Sequence, residues 1–271
     1  MSIGGWSSLG VTLYLSDMPI WLSVFLIVVL PTLAAMAGPV LVRRWFGLEK
    51  LVVNNEVAGF KFAVVGVIYA VVLGFAVVVV WEKFRDAEAA VVQEASALVA
   101  IDRLSQGLSP EAGASMRQHL INYGQFVMTT DWPAMERAKF SARAGQALAD
   151  LYRAVLAIDP KTPRETVIMA EMLNRVDTVT QARRTRLLLA SGIVPAVLWS
   201  VLVAGAVLTL SFTLFFGAHS IGAQTLMTGM LAAIIFLALF VAIQIDHPFT
   251  GSVSVGPEAM KAALDSFDDT R

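Results

Sequence analysis

The chain has no cysteine among its 271 residues. That excludes disulfides, thiolate metal sites and cysteine nucleophiles, and it leaves the redox compartment open. Charge is scarce as well: 15% of residues are Asp, Glu, Lys or Arg, against about 25% in a typical soluble domain. The two signs nearly cancel, at a net charge of −1. With no Lys/Arg-rich patch interleaved with aromatics, nucleic acid is not an expected partner. Only three histidines occur, and His119 and His219 have no partners at ligand spacing. GxxxxGK[ST], HExxH and GxSxG are all missing. No catalytic residue, metal site or cofactor is therefore expected, and the chain does not read as an enzyme. The N-terminus lacks a basic stretch and its apolar run exceeds a signal peptide's, so it is not read as one.

What the sequence has is apolar length. Hydrophobic residues make up 57% of it. No charge falls between Asp17 and Arg43, between Lys61 and Glu82, or between Arg186 and Asp246. A helix that crosses a bilayer needs about 20 mainly apolar residues. The first two gaps each hold one such helix. The third is too long for one, and Gly217 to Gln224 supplies a turn inside it. The four predicted spans are Pro19–Val42, Phe62–Trp81, Leu187–Phe215 and Leu226–Ile245, with kinks expected at Pro31 and Pro195. In water the valine-rich second span would suggest a strand; in a bilayer an isolated strand cannot satisfy its backbone, so a helix is expected. The expected fold class is all-α. It is a polytopic membrane protein with four transmembrane helices and an extramembrane helical domain between spans two and three. Its segments are 1–82, 83–186, 187–245 and a tail, 246–271.

From Trp81 to Leu104 there is no Gly or Pro, so span two should run on as helix to Gly107. Ser109-Pro110-Glu111 has the form of an N-cap with Pro at N1, opening a helix to Thr129. Asp131-Trp132-Pro133 is read as opening a third helix, to Ile158. Thr162-Pro163-Arg164-Glu165 fits a capping box and opens a fourth, expected to run straight into span three at Leu187. Four spans put the termini and the middle domain on one side. Lys83, Arg85, Arg183, Arg184 and Arg186 lie near the membrane there, against Arg43, Arg44, Lys50 and Lys61 opposite, which favours a cytoplasmic domain. Trp6, Trp21, Trp45 and Trp81 sit near interfaces, as an aromatic belt would place them.

The stretch NNEVAGFKFAVVGVIYAVVLGFAVVVVWEKFRDAEAAVVQEA (Asn54 to Ala95) resembles the bestrophin-like domain proteins, a family of bacterial and plant membrane proteins. YGQFVMTTDWPAM (Tyr123 to Met135), the Arg183-x-x-Arg186 pair, Trp199 and DHPFTG (Asp246 to Gly251) extend the resemblance over nearly the whole chain. It implies a likeness to bestrophins: pentameric ion channels with four spans, cytoplasmic termini, a cytoplasmic helical region, and a second span lining a hydrophobic neck. The bestrophin acidic calcium clasp has no counterpart here. Asp265, Asp268 and Asp269 cluster in the tail without calcium-loop geometry.

Against that frame, Val67, Val71, Phe75 and Val78 are the candidates for a neck that gates by dewetting. Opposite them, Gly66, Ala70 and Gly74 form a small-residue face suited to close helix packing. Asn54, Asn55 and Glu56 are pore-entrance candidates; the plainer alternative is that they cap the helix. Glu82, Asp86 and Glu94 would form acidic rings in a vestibule, or else pair with Lys83, Arg85 or the Arg183/Arg186 stretch. Arg183, Arg184 and Arg186 would form a basic ring or touch lipid headgroups, or simply anchor the helix. Asp246-His247-Pro248-Phe249 reads as a turn that docks the tail, with acid/base chemistry as the alternative. The spans hold no Asp, Glu, Lys or Arg of the kind active transporters need. Two functions remain: an oligomeric ion channel, or a non-conducting scaffold or sensor whose helical domain binds a partner. Expected partners are the lipid bilayer, other copies of the chain (a pentamer favoured) and inorganic ions. The expected location is the inner membrane of a bacterial cell, multi-pass, with both termini cytoplasmic.

Overall fold

The structure is a computed structural model that describes residues 8–46 and 55–268; Trp6, Lys50, Asn54 and Asp269 lie outside them. Within the described residues the elements are all helical. They are α1 (Ser8–Asp17), α2 (Ile20–Val24), α3 (Leu30–Phe46), α4 (Asn55–Ser105), α5 (Pro110–Phe126), α6 (Trp132–Met135), α7 (Ala142–Leu156), α8 (Pro163–Leu189), α9 (Ala196–Leu214), α10 (Ile221–Asp246) and α11 (Glu258–Asp268). Two π-helical turns, Phe25–Val29 and Val127–Asp131, join α2 to α3 and α5 to α6. Four helical stretches are long and apolar enough to cross a membrane: Ile20–Trp45, Asn55–Ser105, Ala196–Leu214 and Ile221–Asp246. The chain divides into two compact units, Met1–Glu82 with Ile193–Asp246, and Lys83–Gly192 with His247–Arg271.

The first unit holds the spans. Its helices pack with small residues at the contacts, because lipid removes the hydrophobic drive between helices and leaves close packing to hold them. Gly205 of α9 is one such point: a Cβ there would come within 2.5 Å of the Tyr69 ring. The ring lies close against bare backbone, and its hydroxyl donates to the Leu202 carbonyl at 3.1 Å. Where a kink is expected at Pro31, the structure has a π turn just before the proline. Proline has no amide to give the carbonyl four residues back; widening the turn, so that the Leu30 amide reaches the Phe25 carbonyl, accommodates that loss. The lead before span one is itself a helix, α1, packed against α10. Trp21, Trp45 and Trp81 are all exposed on the surface.

The second unit is a helical bundle built from the later part of α4 with α5 to α8 and α11. Its caps follow the expected chemistry: the Ser109 hydroxyl accepts from the Ala112 amide and the Thr162 hydroxyl from the Glu165 amide. The core gathers Leu98, Ile101, Leu120, Leu151, Val176 and Met260. The tail belongs to this unit; Leu264 of α11 packs against Gly124.

Two sequence expectations need correcting. Asp131-Trp132-Pro133 does not open a new helix. The helix from Pro110 passes through the second π turn, which sits two residues before Pro133 as the first does before Pro31. The next helix starts at Ala142, capped by the Ser141 hydroxyl. Nor does the fourth helix run into span three. It stops at Leu189, and the chain turns through Gly192 at φ 95°, a left-handed conformation that favours glycine. Pro195 then precedes α9 as its N-cap. The expected kink is a complete break.

Candidate functional site

Along the membrane part of α4, every side chain is placed by the 100° turn per residue. Tyr69, Leu73, Ala76 and Val80 form one stripe, buried against the rest of the first unit. Val67, Val71, Phe75 and Val78 lie on the opposite side within about 80° of arc, and all are exposed, Phe75 by 68%. Gly66, Ala70 and Gly74 are not opposite this row, as the sequence reading expects, but run along its flank about 100° round the helix. A Cβ added at Gly66 or Gly74 would meet no heavy atom within 4 Å. The subunit thus presents a bulky apolar row beside a bare backbone track, both open.

At the start of α4, Asn55 does not cap its own helix. Its amide donates to the Gly217 carbonyl at 2.6 Å and accepts from the Gly217 amide at 2.9 Å, fixing the turn between α9 and α10. Glu56 beside it is exposed, and Asn54 falls outside the described residues.

The acidic trio further along α4 separates. Glu82 and Asp86 are exposed, and Asp86 accepts from Lys83 at 2.8 Å. Glu94 lies eight residues past Asp86, which is about 80° further round the helix, and it is completely buried. Its carboxylate accepts from Arg186 Nε at 2.7 Å, from Arg186 Nη2 at 3.0 Å and from the Tyr123 hydroxyl at 2.6 Å. Glu94 therefore cannot stand on a solvent-lined wall with the other two.

The same cluster accounts for two of the three arginines. Arg186 is completely buried, also reaches Asp131 at 3.2 Å, and lies over the Trp132 ring, 5.0 Å from its centroid. Arg183 pairs with both oxygens of buried Asp131, at 3.1 Å and 3.3 Å, sharing Oδ2 with Arg186. Two carboxylates and two guanidinium groups thus balance inside the bundle, each satisfied by hydrogen bonds, as buried charges must be. Burial opposes the charge on Arg186, but Glu94 outweighs it and holds the guanidinium above its ordinary pKa. Burial, then Glu94, push the Tyr123 hydroxyl well above its usual value, so it remains a donor. Of the basic trio only Arg184 is exposed; Arg186 cannot touch lipid headgroups or an aqueous path.

Asp246, at the end of α10, is also fully buried. Its carboxylate accepts from the amides of Val194 and Ile193, at 2.8 and 3.1 Å, and from Trp199 Nε1 at 3.3 Å. It ties the break before α9 to the end of α10. Phe249, three residues on, packs edge-on against Trp132 in the second unit. Asp246→Ala should lower stability by about 2–3 kcal/mol, since hydrogen bonds to a charged acceptor are lost and buried amides are stranded. A thermal melt of the purified protein in detergent checks this, with Asp246→Asn falling between. Among the described residues no group of three His, Asp or Glu side chains could hold a metal ion.

These features match known proteins in a consistent way. The family model for the Bestrophin-like domain matches residues 29–260. The chain belongs to the bestrophin-like family. A bacterial bestrophin homologue from Klebsiella pneumoniae shares its fold at a TM-score of 0.65 and 16% identity, with 89% of this chain and 97% of that one covered. Two single-substitution variants of that homologue match at TM-scores of 0.65 and 0.63, with 14% and 15% identity. They cover 88% and 91% of this chain, and 95% and 98% of theirs. No curated protein matches in sequence. This bestrophin-like chain is thus a multi-pass membrane protein with the bestrophin fold.

Asp131 and Tyr123 were not among the candidate residues, yet a signal for them exists. In each of three helices a charged residue occupies an apolar stripe. Glu94 continues Ala87, Val91, Leu98 and Ile101; Asp131 continues Leu120, Tyr123 and Val127; Arg186 continues Val176, Val179 and Ala182. A charge at such a position needs a buried counter-charge.

Proposed function

We propose that this protein is a homo-oligomeric ion channel, a pentamer in the bacterial inner membrane, with both termini and the helical domain in the cytoplasm. The observation that supports this most is the exposed row Val67, Val71, Phe75 and Val78 on α4. Brought together around an axis, five such rows make a hydrophobic constriction that passes ions only when wetted. The open Gly66–Gly74 track beside each row lets the neighbouring copy of α4 approach closely. Glu82 and Asp86, exposed just beyond the neck, supply acidic rings at one mouth, and exposed Glu56 stands at the other. Glu82 makes no ion pair among the described residues. With Arg183 and Arg186 committed to buried partners, the local balance favours cations.

The absence of cysteine allows a direct test. Val71→Cys introduces the sole thiol in the chain. A cationic methanethiosulfonate reagent should then abolish most ion flux in liposomes, while the cysteine-free parent is unaffected. Unchanged flux in a Val71→Cys protein that is folded, oligomeric and demonstrably modified would remove α4 from the pathway.

A further inference from the structure

In the first unit, where α9 turns into α10, a cavity of about 490 Å³ opens between α4, α9 and α10. We propose that it binds one uncharged amphipathic molecule, an apolar body carrying a single hydroxyl- or amide-sized head, and that occupancy sets the position of α4. The first part stands by itself; the second rests on the channel reading.

The volume falls within the range of about 300–1,000 Å³ typical of small-molecule sites. One wall is apolar: Phe62 and Phe216 meet edge to face at 5.7 Å, with Met227 beside them. Methionine adapts its shape to irregular ligands. The polar part of the lining includes Gln224 and Thr228, one turn apart on α10. Gln224 already donates its amide to the Phe216 carbonyl, which orients its oxygen as a remaining acceptor. Thr228, itself buried, can both donate and accept. Among the described residues no ionisable side chain lines the cavity, and Arg43 beside it is turned to the Ala218 carbonyl at 3.4 Å, so a charged ligand would lose its hydration without a direct partner. The frame is rigid at its base, because Asn55 is bonded to both backbone groups of Gly217. Gly59 leaves room where the other walls do not. A Cβ there would stand 3.9 Å from Phe216, so a methyl group fits and a longer side chain fills the cavity. Gly59 and Phe62 belong to the helix that carries Val67, so a molecule wedged against them bears directly on the neck.

The ligand chemistry could come from the glycerol-ester region of a membrane lipid or from a free small molecule. The test uses 4-(trifluoromethyl)phenol, followed by fluorine NMR against the full-length protein in nanodiscs. Native mass spectrometry, run in parallel, counts the uncharged lipid diacylglycerol, included in the nanodiscs, retained by each subunit. Saturable phenol binding is expected, weakened at least tenfold in Gly59→Leu and about fivefold in Thr228→Val, the loss of roughly one neutral hydrogen bond. Thr228→Val nearly keeps the shape, so it decides the matter even where Gly59→Leu fails to fold. Retained lipid that disappears in the variants identifies a lipid as the occupant; phenol binding with no retained lipid identifies a free small molecule. Absence of both, or binding that neither variant changes, overturns the site. Liposome flux separates the two readings. A protein that binds the phenol but never conducts keeps the site and loses the channel. A protein that conducts without binding loses the site alone. Flux that shifts with phenol in the parent and not in Gly59→Leu supports both.

Discussion

Arg186→Met should lower the stability of the protein by about 3–5 kcal/mol, the loss seen when one partner of a buried ion pair is removed. The change strands Glu94, completely buried and 29 residues from its other partner Tyr123 in sequence. It also takes from Asp131 one of its two guanidinium partners. The triple variant Glu94→Leu, Arg186→Met and Tyr123→Phe, which also removes the hydroxyl that Glu94 accepts from, should recover most of the loss. It replaces a pair by apolar side chains of similar volume and leaves Asp131 with Arg183, and such exchanges are often neutral or stabilising. Denaturant or thermal unfolding in detergent measures both. The recovery is the informative part, because it separates a stranded charge from a merely missing contact. Arg184→Met, on the exposed neighbour, should change stability by less than about 0.5 kcal/mol.

Phe75→Ala should raise ion flux by about tenfold, equivalent to lowering the passage barrier by about 1.4 kcal/mol. Phe75 is the largest side chain in the exposed row of α4. Its removal widens the constriction at the point where a dewetting barrier would be highest. Stability should be almost unaffected, since the ring makes little contact within its own subunit. Glu82→Gln should leave the size of the flux similar and shift the reversal potential towards zero, by removing a charge at the mouth. Liposome flux and bilayer currents give both values. A Phe75→Ala protein with less flux than the parent would argue that the ring packs between subunits instead of facing an axis.

The spans were legible because charge-free length leaves few alternatives: a helix is the structure that satisfies Val71 to Val80 in lipid. The caps at Ser109 and Thr162 were legible because each carries its own local chemistry. The helix ends at Leu189 and Ala196 were not. Pro195 signals a kink or a stop equally well, and the stop is settled by Gly192 and by the Asp246 carboxylate, some fifty residues away in sequence. Asp131 misled for a related reason. Asp-Trp-Pro has the local form of a helix start, but the Asp131 side chain is taken by Arg183 and Arg186, and a π turn accommodates Pro133.

The residues on which the family resemblance rests prove to be largely the ones that hold the structure together. Tyr123, Asp131 and Trp132 meet Arg183 and Arg186 in one buried cluster. Asp246 meets Trp199, and Phe249 meets Trp132. That explains why the resemblance identifies a fold so well and an activity so weakly. The pore candidates are a plain apolar row, with no chemistry that a short motif could carry. In the proposed channel their role comes from what would face them across the oligomer's axis, which no short motif encodes.

Conduction of ions along α4 is the part of the proposed function that a direct measurement can decide. Planar-bilayer recording of the purified oligomer tests it most directly. Discrete currents in symmetric salt, a cation-biased reversal potential in a salt gradient, and larger unitary currents for Phe75→Ala are expected. Stable silence from an oligomer shown by its melting behaviour to be folded, with Phe75→Ala equally silent, would contradict it.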